Sequence, residues 1–152
     1  MSASHQITVA RIFDATPDEL YQAWTDLALL RRWFGHRVEA DVRPGGRYRV
    51  ENPGENGGIF AHEGEYQILD PGRRIRKTFT YAGTGAAEPG DYVDEYIDVS
   101  FRGISSGRTE LTLVNAWSGK GMPPDEQQAA GEGWELWLDQ LARALKGETA
   151  LS

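Results

Sequence analysis

A long series of turn signals followed by one amphipathic segment constrains this chain more than any other feature of its sequence. The segments 44–46, 70–72 and 105–107 place proline or glycine where tight turns between strands need them, and residues 53–58 form a looser hairpin loop. Several of the intervening strands exceed the usual length of about five or six residues, so the sheet should twist and curl. The predicted strands of this meander lie near 37–42, 46–52, 59–69, 73–81, 92–103 and 108–117.

A strand and two short helices are predicted ahead of the meander. Residues 7–13 alternate with a period of two, which is typical of a strand. Thr16 precedes Pro17, and a glutamate follows three residues after the threonine, so an N-cap, a proline at the first helical position and a capping box together start a helix at Pro17. Asp26 is placed to cap a second short helix, which Gly35 ends.

The last part of the chain predicts a single long helix. Apolar residues recur at steps of three and four from Pro124 to Lys146, a length that spans roughly 34 Å and can cross a whole sheet. Gly131 and Gly133 lie inside it, where each costs about 1 kcal/mol relative to alanine. We therefore expect Gly133 to mark the closest approach of the helix backbone to the sheet.

Composition excludes several classes of function. A chain of 152 residues suits one domain, residues 1–152, and its net charge of −7 disfavours nucleic acid as a partner. It has no cysteine, its three histidines lack metal-ligand spacing, and no motif for a cofactor is present, so we expect neither metal nor cofactor. Neither a signal peptide nor an apolar run of spanning length occurs, which predicts a cytoplasmic protein without membrane insertion.

Aromatic residues from several elements are candidate walls of an apolar cavity between the sheet and the C-terminal helix. The same rings also suit a solid core, because large aromatics fill space as readily as they frame it. Strand alternation adds Glu95, Asn115 and His62 as inward polar groups. Trp137 belongs to the same aromatic set. The candidate ligand-binding residues are Trp33, Phe34, Tyr48, Phe60, His62, Phe79, Tyr81, Glu95, Asn115, Trp117, Trp134 and Leu138.

The order of the elements resembles the helix-grip fold of the START/Bet v 1-like superfamily. This α+β fold implies a curved antiparallel sheet of about seven strands around a long C-terminal helix, with two short helices after the first strand. The matching segments are FDATPDELYQAW at 13–24, RWFG at 32–35, DVRPGGRY at 41–48, KTFTY at 77–81 and GW at 133–134. They resemble the family named for the activator of Hsp90 ATPase homologue 1, whose members often carry histidine where Asn115 stands.

The resemblance implies three alternative functions. The first is binding of a small hydrophobic or amphipathic ligand in a cavity between sheet and helix. The second is an interaction module similar to the C-terminal domain of Hsp90 co-chaperones, with a chaperone as partner and a role in the stress response. The third is an enzyme such as a cyclase or hydrolase, for which Glu95, His62 and Asp94 are the available acids and bases. A homodimer is a further expectation. A sizeable enclosed void would favour the ligand binder, and a filled core with an exposed apolar patch the partner module.

Overall fold

The computed structural model describes residues 5–84 and 92–148, in which an antiparallel sheet packs against one long helix and two short ones. The helix-grip α+β fold predicted from the sequence is confirmed. The elements are β1 His5–Phe13, α1 Pro17–Thr25, α2 Leu27–Trp33, β2 Arg37–Ala40, β3 Arg47–Pro53, β4 Ile59–Asp70, β5 Arg74–Thr78, β6 Thr80–Tyr81, β7 Tyr92–Ser105, β8 Arg108–Gly119 and α3 Pro124–Leu145.

The strands follow the spatial order β1-β8-β7-β5-β4-β3-β2, and β6 pairs with β4. The segment predicted as one strand at 73–81 is two strands: β5 pairs with both β4 and β7, whereas β6, beyond Phe79, pairs with β4 alone. The Phe79 N–H donates to the Glu95 carbonyl of β7, and the Thr78 carbonyl accepts from the Tyr48 hydroxyl at 2.6 Å. These two hydrogen bonds satisfy the Phe79 N–H and the Thr78 carbonyl where the pairing of β5 with β7 ends, so β6 can continue along β4 alone.

Local signals set the two short helices as the sequence predicts. The Glu19 N–H donates to the Thr16 hydroxyl at 3.1 Å, and the Thr16 N–H donates to the Glu19 carboxylate at 2.9 Å, which completes the capping box. The Asp26 carboxylate accepts from the Ala28 N–H at 2.8 Å and so begins α2 directly where α1 ends. Both helices contact α3, and they contact each other.

The apolar face of α3 lies on the sheet, but the predicted role of Gly133 is wrong. Gly133 is exposed, and a Cβ at this position would meet no described neighbour within 4 Å beyond the helix's own backbone. The neighbouring Trp134 is only 3% exposed, so a side chain rather than a bare backbone makes the contact with the sheet. Arg11 of β1 adds a polar contact with α3, because it donates to Asp139 at 2.7 Å. Within the described residues, no helix is both long and apolar enough to cross a bilayer.

Candidate functional site

Aromatic rings from β4, β6, α3 and the segments beside them pack together on the inner side of the sheet. The centroids of contacting rings lie 4.1 to 6.3 Å apart, and His62 stacks on Phe79 at 4.1 Å with 10° between the planes. The register pairs His62 with Tyr81, which brings β6 into the group. We call the following residues the aromatic cluster: Phe34, Phe60, His62, Phe79, Tyr81, Trp134 and Trp137.

The cluster reaches the surface at one end, which we call the mouth and which Phe60, Tyr81 and Trp137 form. Phe60 is 41% exposed, while Tyr81 and Trp137 are half-buried. Trp137 contacts the rings of Phe34 at 4.8 Å and Phe60 at 6.0 Å, and its Nε1 donates to the Phe34 carbonyl at 3.0 Å. The hydrogen bond fixes the indole, so the mouth has one rigid wall on α3 and two rings on the sheet.

His62 is a buried polar residue in contact with all three rings of the mouth. Its ring is 7% exposed, and its Nδ1 is buried without a hydrogen-bond partner among the residues that the structure describes. Burial, assisted by the charge of Lys77, lowers the pKa of His62 to about 3. The ring is therefore neutral at pH 7. We assign its proton to Nε2. The buried Nδ1 then carries a lone pair, and no buried N–H is left without an acceptor at that atom.

Asn115 and Glu95 point inward as alternation predicts, and they hold α3 rather than an open pocket. The Trp134 Nε1 donates to Asn115 Oδ1 at 3.2 Å. The Asn115 amide nitrogen donates in turn to the Glu95 carboxylate at 3.0 Å and to the Tyr96 carbonyl at 3.2 Å. Burial raises the pKa of Glu95, and the bond from Asn115 partly offsets this. This network ties β7, β8 and α3 together.

Lys77 is the functional candidate that sequence reasoning missed. Its side chain is 1% exposed, and burial lowers its pKa to about 7. The Nζ lies 4.3 to 5.8 Å from four ring centroids. Alternation along β5 could have revealed it, because Lys77 shares a face with Ile75 and Phe79. We call Lys77 and the rings around it the lysine cage; these rings are Trp24, Phe34, Tyr48 and Tyr66.

Three predicted site residues lie away from the mouth. Trp33 is fully buried between α1 and α2, with its Nε1 donating to the Ala23 carbonyl at 2.8 Å. Trp117 stacks on His5 at 5.7 Å, and in the described part of the chain no ring contact joins it to the aromatic cluster. Leu138 is fully buried in the core. Asp94, an acid considered for the enzyme alternative, is exposed.

In the part of the chain that the structure describes, the rings of the aromatic cluster and the buried side chains of α3 pack together between the sheet and α3. One depression, of about 170 Å³, lies among α1, α2 and the end of α3. Another, of about 350 Å³, lies on the outer face of β2, β3 and β4 and is lined mainly by charged residues. Neither depression is the predicted cavity. A ligand of the cluster would have to enter at the mouth and displace packed side chains.

Comparison with known proteins places the chain among related folds. A family model described as "Activator of Hsp90 ATPase homolog 1-like protein" matches residues 14–146. Protein CV1439 from Chromobacterium violaceum is 28% identical, with a TM-score of 0.74 over 92% of this chain and 96% of that one. CalU16 from Micromonospora echinospora is 24% identical, with a TM-score of 0.69 over 92% and 75% of the two chains. The Aha1 dimer from Colwellia psychrerythraea is 19% identical, with a TM-score of 0.71 over 93% and 96%. No curated protein matches this sequence.

Proposed function

We propose that this chain, which belongs to the activator of Hsp90 ATPase homolog 1-like family, binds a small amphipathic molecule at the mouth of its aromatic cluster. The observation that carries the proposal is the neutral, buried His62, whose Nδ1 has no partner among the described residues although rings surround it. A core that serves packing alone pairs its buried polar groups. An unpaired imidazole beside exposed rings is the arrangement expected where a ligand supplies the missing contacts.

The mouth supplies apolar walls, and His62 supplies one neutral polar group. A flat ligand can stack on Phe60 and Trp137, whose rings are 6.0 Å apart, after a modest separation of the two. His62 is uncharged at pH 7, so its Nδ1 can accept a hydrogen bond from a hydroxyl or an amine of the ligand without requiring a charged group. Glu95 and Asn115 are already bonded to each other, which leaves them as supports of Trp134 rather than reacting groups. These features favour binding over catalysis.

The test is a fluorescence titration of the chain with N-phenyl-1-naphthylamine, an apolar amine that accepts energy from tryptophan. We expect saturable one-to-one binding, and about a tenfold or greater loss of affinity for Phe60→Ala, because a stacking wall is removed. Ile104→Ala is the matched control, since Ile104 is a similarly exposed apolar residue on the far β7–β8 hairpin. An absence of saturable binding, or an equal loss in both variants, would overturn the proposal.

An interaction module is the second candidate, and the filled core with its exposed apolar mouth is the observation that favours it. In that case Phe60 and Ile59, which is 45% exposed, dock on a chaperone of the Hsp90 type. Surface-immobilised Hsp90 distinguishes the candidates: retention of the wild type and loss of retention in Phe60→Ala, with no probe binding, supports the module. A homodimer also remains a proposal, and sedimentation at several concentrations tests it.

A further inference from the structure

The lysine cage contains two buried donors, the amine of Lys77 and the indole N–H of Trp24. Lys77 Nζ faces four ring centroids at 4.3 to 5.8 Å, and the Tyr48 hydroxyl of the cage donates to the Thr78 carbonyl at 2.6 Å. The Trp24 Nε1 is likewise buried with no acceptor in the described part of the chain, although its residue is fully buried. An ammonium and an indole N–H are both donors. What the cage lacks is therefore an acceptor.

The absence of an acid at Lys77 contrasts with several arginines of the sheet, which are paired with carboxylates. Arg11 bonds Asp139 at 2.7 Å, Arg49 bonds Glu51 at 2.8 Å, and Arg74 is paired with Asp98. At Lys77, the most deeply buried of these cations, no carboxylate within the described residues forms an ion pair. Ring faces attract the ammonium but do not replace a counter-ion in a medium of low polarity. The ammonium form of Lys77 therefore has no carboxylate counter-ion among the described residues.

The cage adjoins the mouth through a single ring. The Phe34 centroid lies 4.8 Å from that of Trp137 at the mouth and 4.7 Å from Lys77 Nζ. Phe34 follows the last residue of α2, where it is the C-cap. Rotation of this ring would connect the surface rings to the buried amine. With Phe34 displaced, the two features would form one path with an apolar entrance and a basic end.

We propose that Lys77 and Trp24 receive the acid group of the ligand, so that the molecule bound at the mouth is a carboxylic acid with an apolar body. This inference rests on the proposed function and names its ligand class. The carboxylate accepts from the Lys77 ammonium and the Trp24 indole N–H, while the apolar body stays against Phe60 and Trp137. Where Lys77 is neutral before binding, it takes one proton from solvent as the carboxylate arrives, which gives an ammonium–carboxylate pair.

The test compares three probes that share one ring system: 2-naphthoic acid, its methyl ester and 2-naphthalenemethanol. Titration calorimetry at pH 8 in buffers of different ionisation enthalpy gives affinity and proton uptake together. For the wild type we expect the acid to bind at least about tenfold more tightly than the ester or the alcohol, with uptake of up to about one proton. In Lys77→Met, the three affinities should converge. Lys120→Met, which removes an exposed lysine, should behave as the wild type.

The outcomes separate the acid receptor from the proposed function. Equal binding of acid, ester and alcohol by the wild type would overturn the receptor and leave the ligand site standing. Failure of all three probes to bind would overturn both. An acid preference that survives in Lys77→Met would also contradict the receptor, because the charge would then be recognised elsewhere. The wild-type comparison decides without any variant whether the site prefers an acid, and Lys77→Met decides whether Lys77 is the group that recognises it.

Discussion

At the scale of single residues, Lys77 is where charge and packing conflict most. Its folded-state pKa of about 7 lies below the ordinary value of 10.5, so the unfolded chain binds more protons between these two values. The free energy of unfolding should therefore rise as pH increases from about 7 towards 10. Below pH 7 it should be reduced by the full cost of burying the protonated amine of Lys77. The cage thus tolerates the amine chiefly in its neutral form.

Lys77→Met should raise the free energy of unfolding at pH 7, because methionine fills similar space without a charge to desolvate. The gain should be roughly several kcal/mol at most, since each unit of pKa shift corresponds to about 1.4 kcal/mol. The variant should also lose the rise in stability between pH 7 and 9. Urea unfolding at several pH values measures both effects, with Lys120→Met as the exposed control. A Lys77→Met protein that is less stable than the wild type at pH 7 would show that the cage stabilises the charged form.

Alternation along strands predicted the inward residues well, and its failures have physical causes. His62 and Asn115 were placed correctly, because side chains of a strand alternate strictly between its faces. The same rule places Lys77 inward, but the usual cost of burying an ammonium argues for the surface. Only the positions of four surrounding rings reveal why it is tolerated. Trp117 faces inward as predicted, yet near the end of β8 the inward neighbour is His5.

At the scale of elements, α3 is stabilised by side-chain contacts and not by a close backbone approach. Gly133→Ala should raise the free energy of unfolding by up to about 1 kcal/mol, because the new methyl group meets open space and removes the helix penalty of glycine. Thermal or urea unfolding measures the change. Gly64→Ala is the contrasting variant: its Cβ would lie 2.2 Å from the Thr78 carbonyl oxygen, so stability should fall. A loss of stability in Gly133→Ala would restore the close-approach interpretation.

The network at Asn115 gives a second prediction for α3. Asn115→Leu should lower the free energy of unfolding by roughly 1–3 kcal/mol, because it leaves the Trp134 indole N–H and the half-buried Glu95 without their partner. Trp134→Phe removes the donor on the other side of the bond. A double-mutant cycle by urea unfolding should give a coupling of about 0.5 kcal/mol or more between the two sites. Additive effects would show that the contact contributes packing alone.

Local chemistry explains which elements could be predicted from sequence. The capping box at Thr16 and the double role of Asp26 are short-range devices, so the sequence alone positions α1 and α2. The division of 73–81 into β5 and β6 depends on the Phe79 N–H reaching Glu95, a partner that lies far along the chain. Such a long-range bond leaves no local signal. Whether Gly133 faces the sheet or solvent depends on the rotation of α3 about its axis, and the periodicity of apolar residues predicts that rotation only approximately.

At the scale of the whole molecule, ligand binding at the mouth competes with the packing of the core. The aromatic cluster and the lysine cage share Phe34, which is 1% exposed and touches both Trp137 and Lys77. In the closed form this ring fills the path that the ligand's acid group would need. The packing of Phe34 therefore contributes to the stability of the fold, and this side chain must move for binding. The free-energy cost of that movement lowers the measured affinity.

Phe34→Leu should consequently lower stability and raise affinity at the same time. The smaller side chain leaves unfilled space beside Trp137 and Lys77, so the free energy of unfolding should fall by roughly 1 kcal/mol or more. The same space admits the ligand with less displacement, so 2-naphthoic acid should bind several-fold more tightly. Phe101→Leu is the matched control, because Phe101 is buried at the opposite end of the sheet and contacts Tyr21. It should lose stability without any gain in affinity. If both variants lose stability and neither binds the acid more tightly, Phe34 does not lie on the path, and Lys77 is reached from elsewhere or not at all.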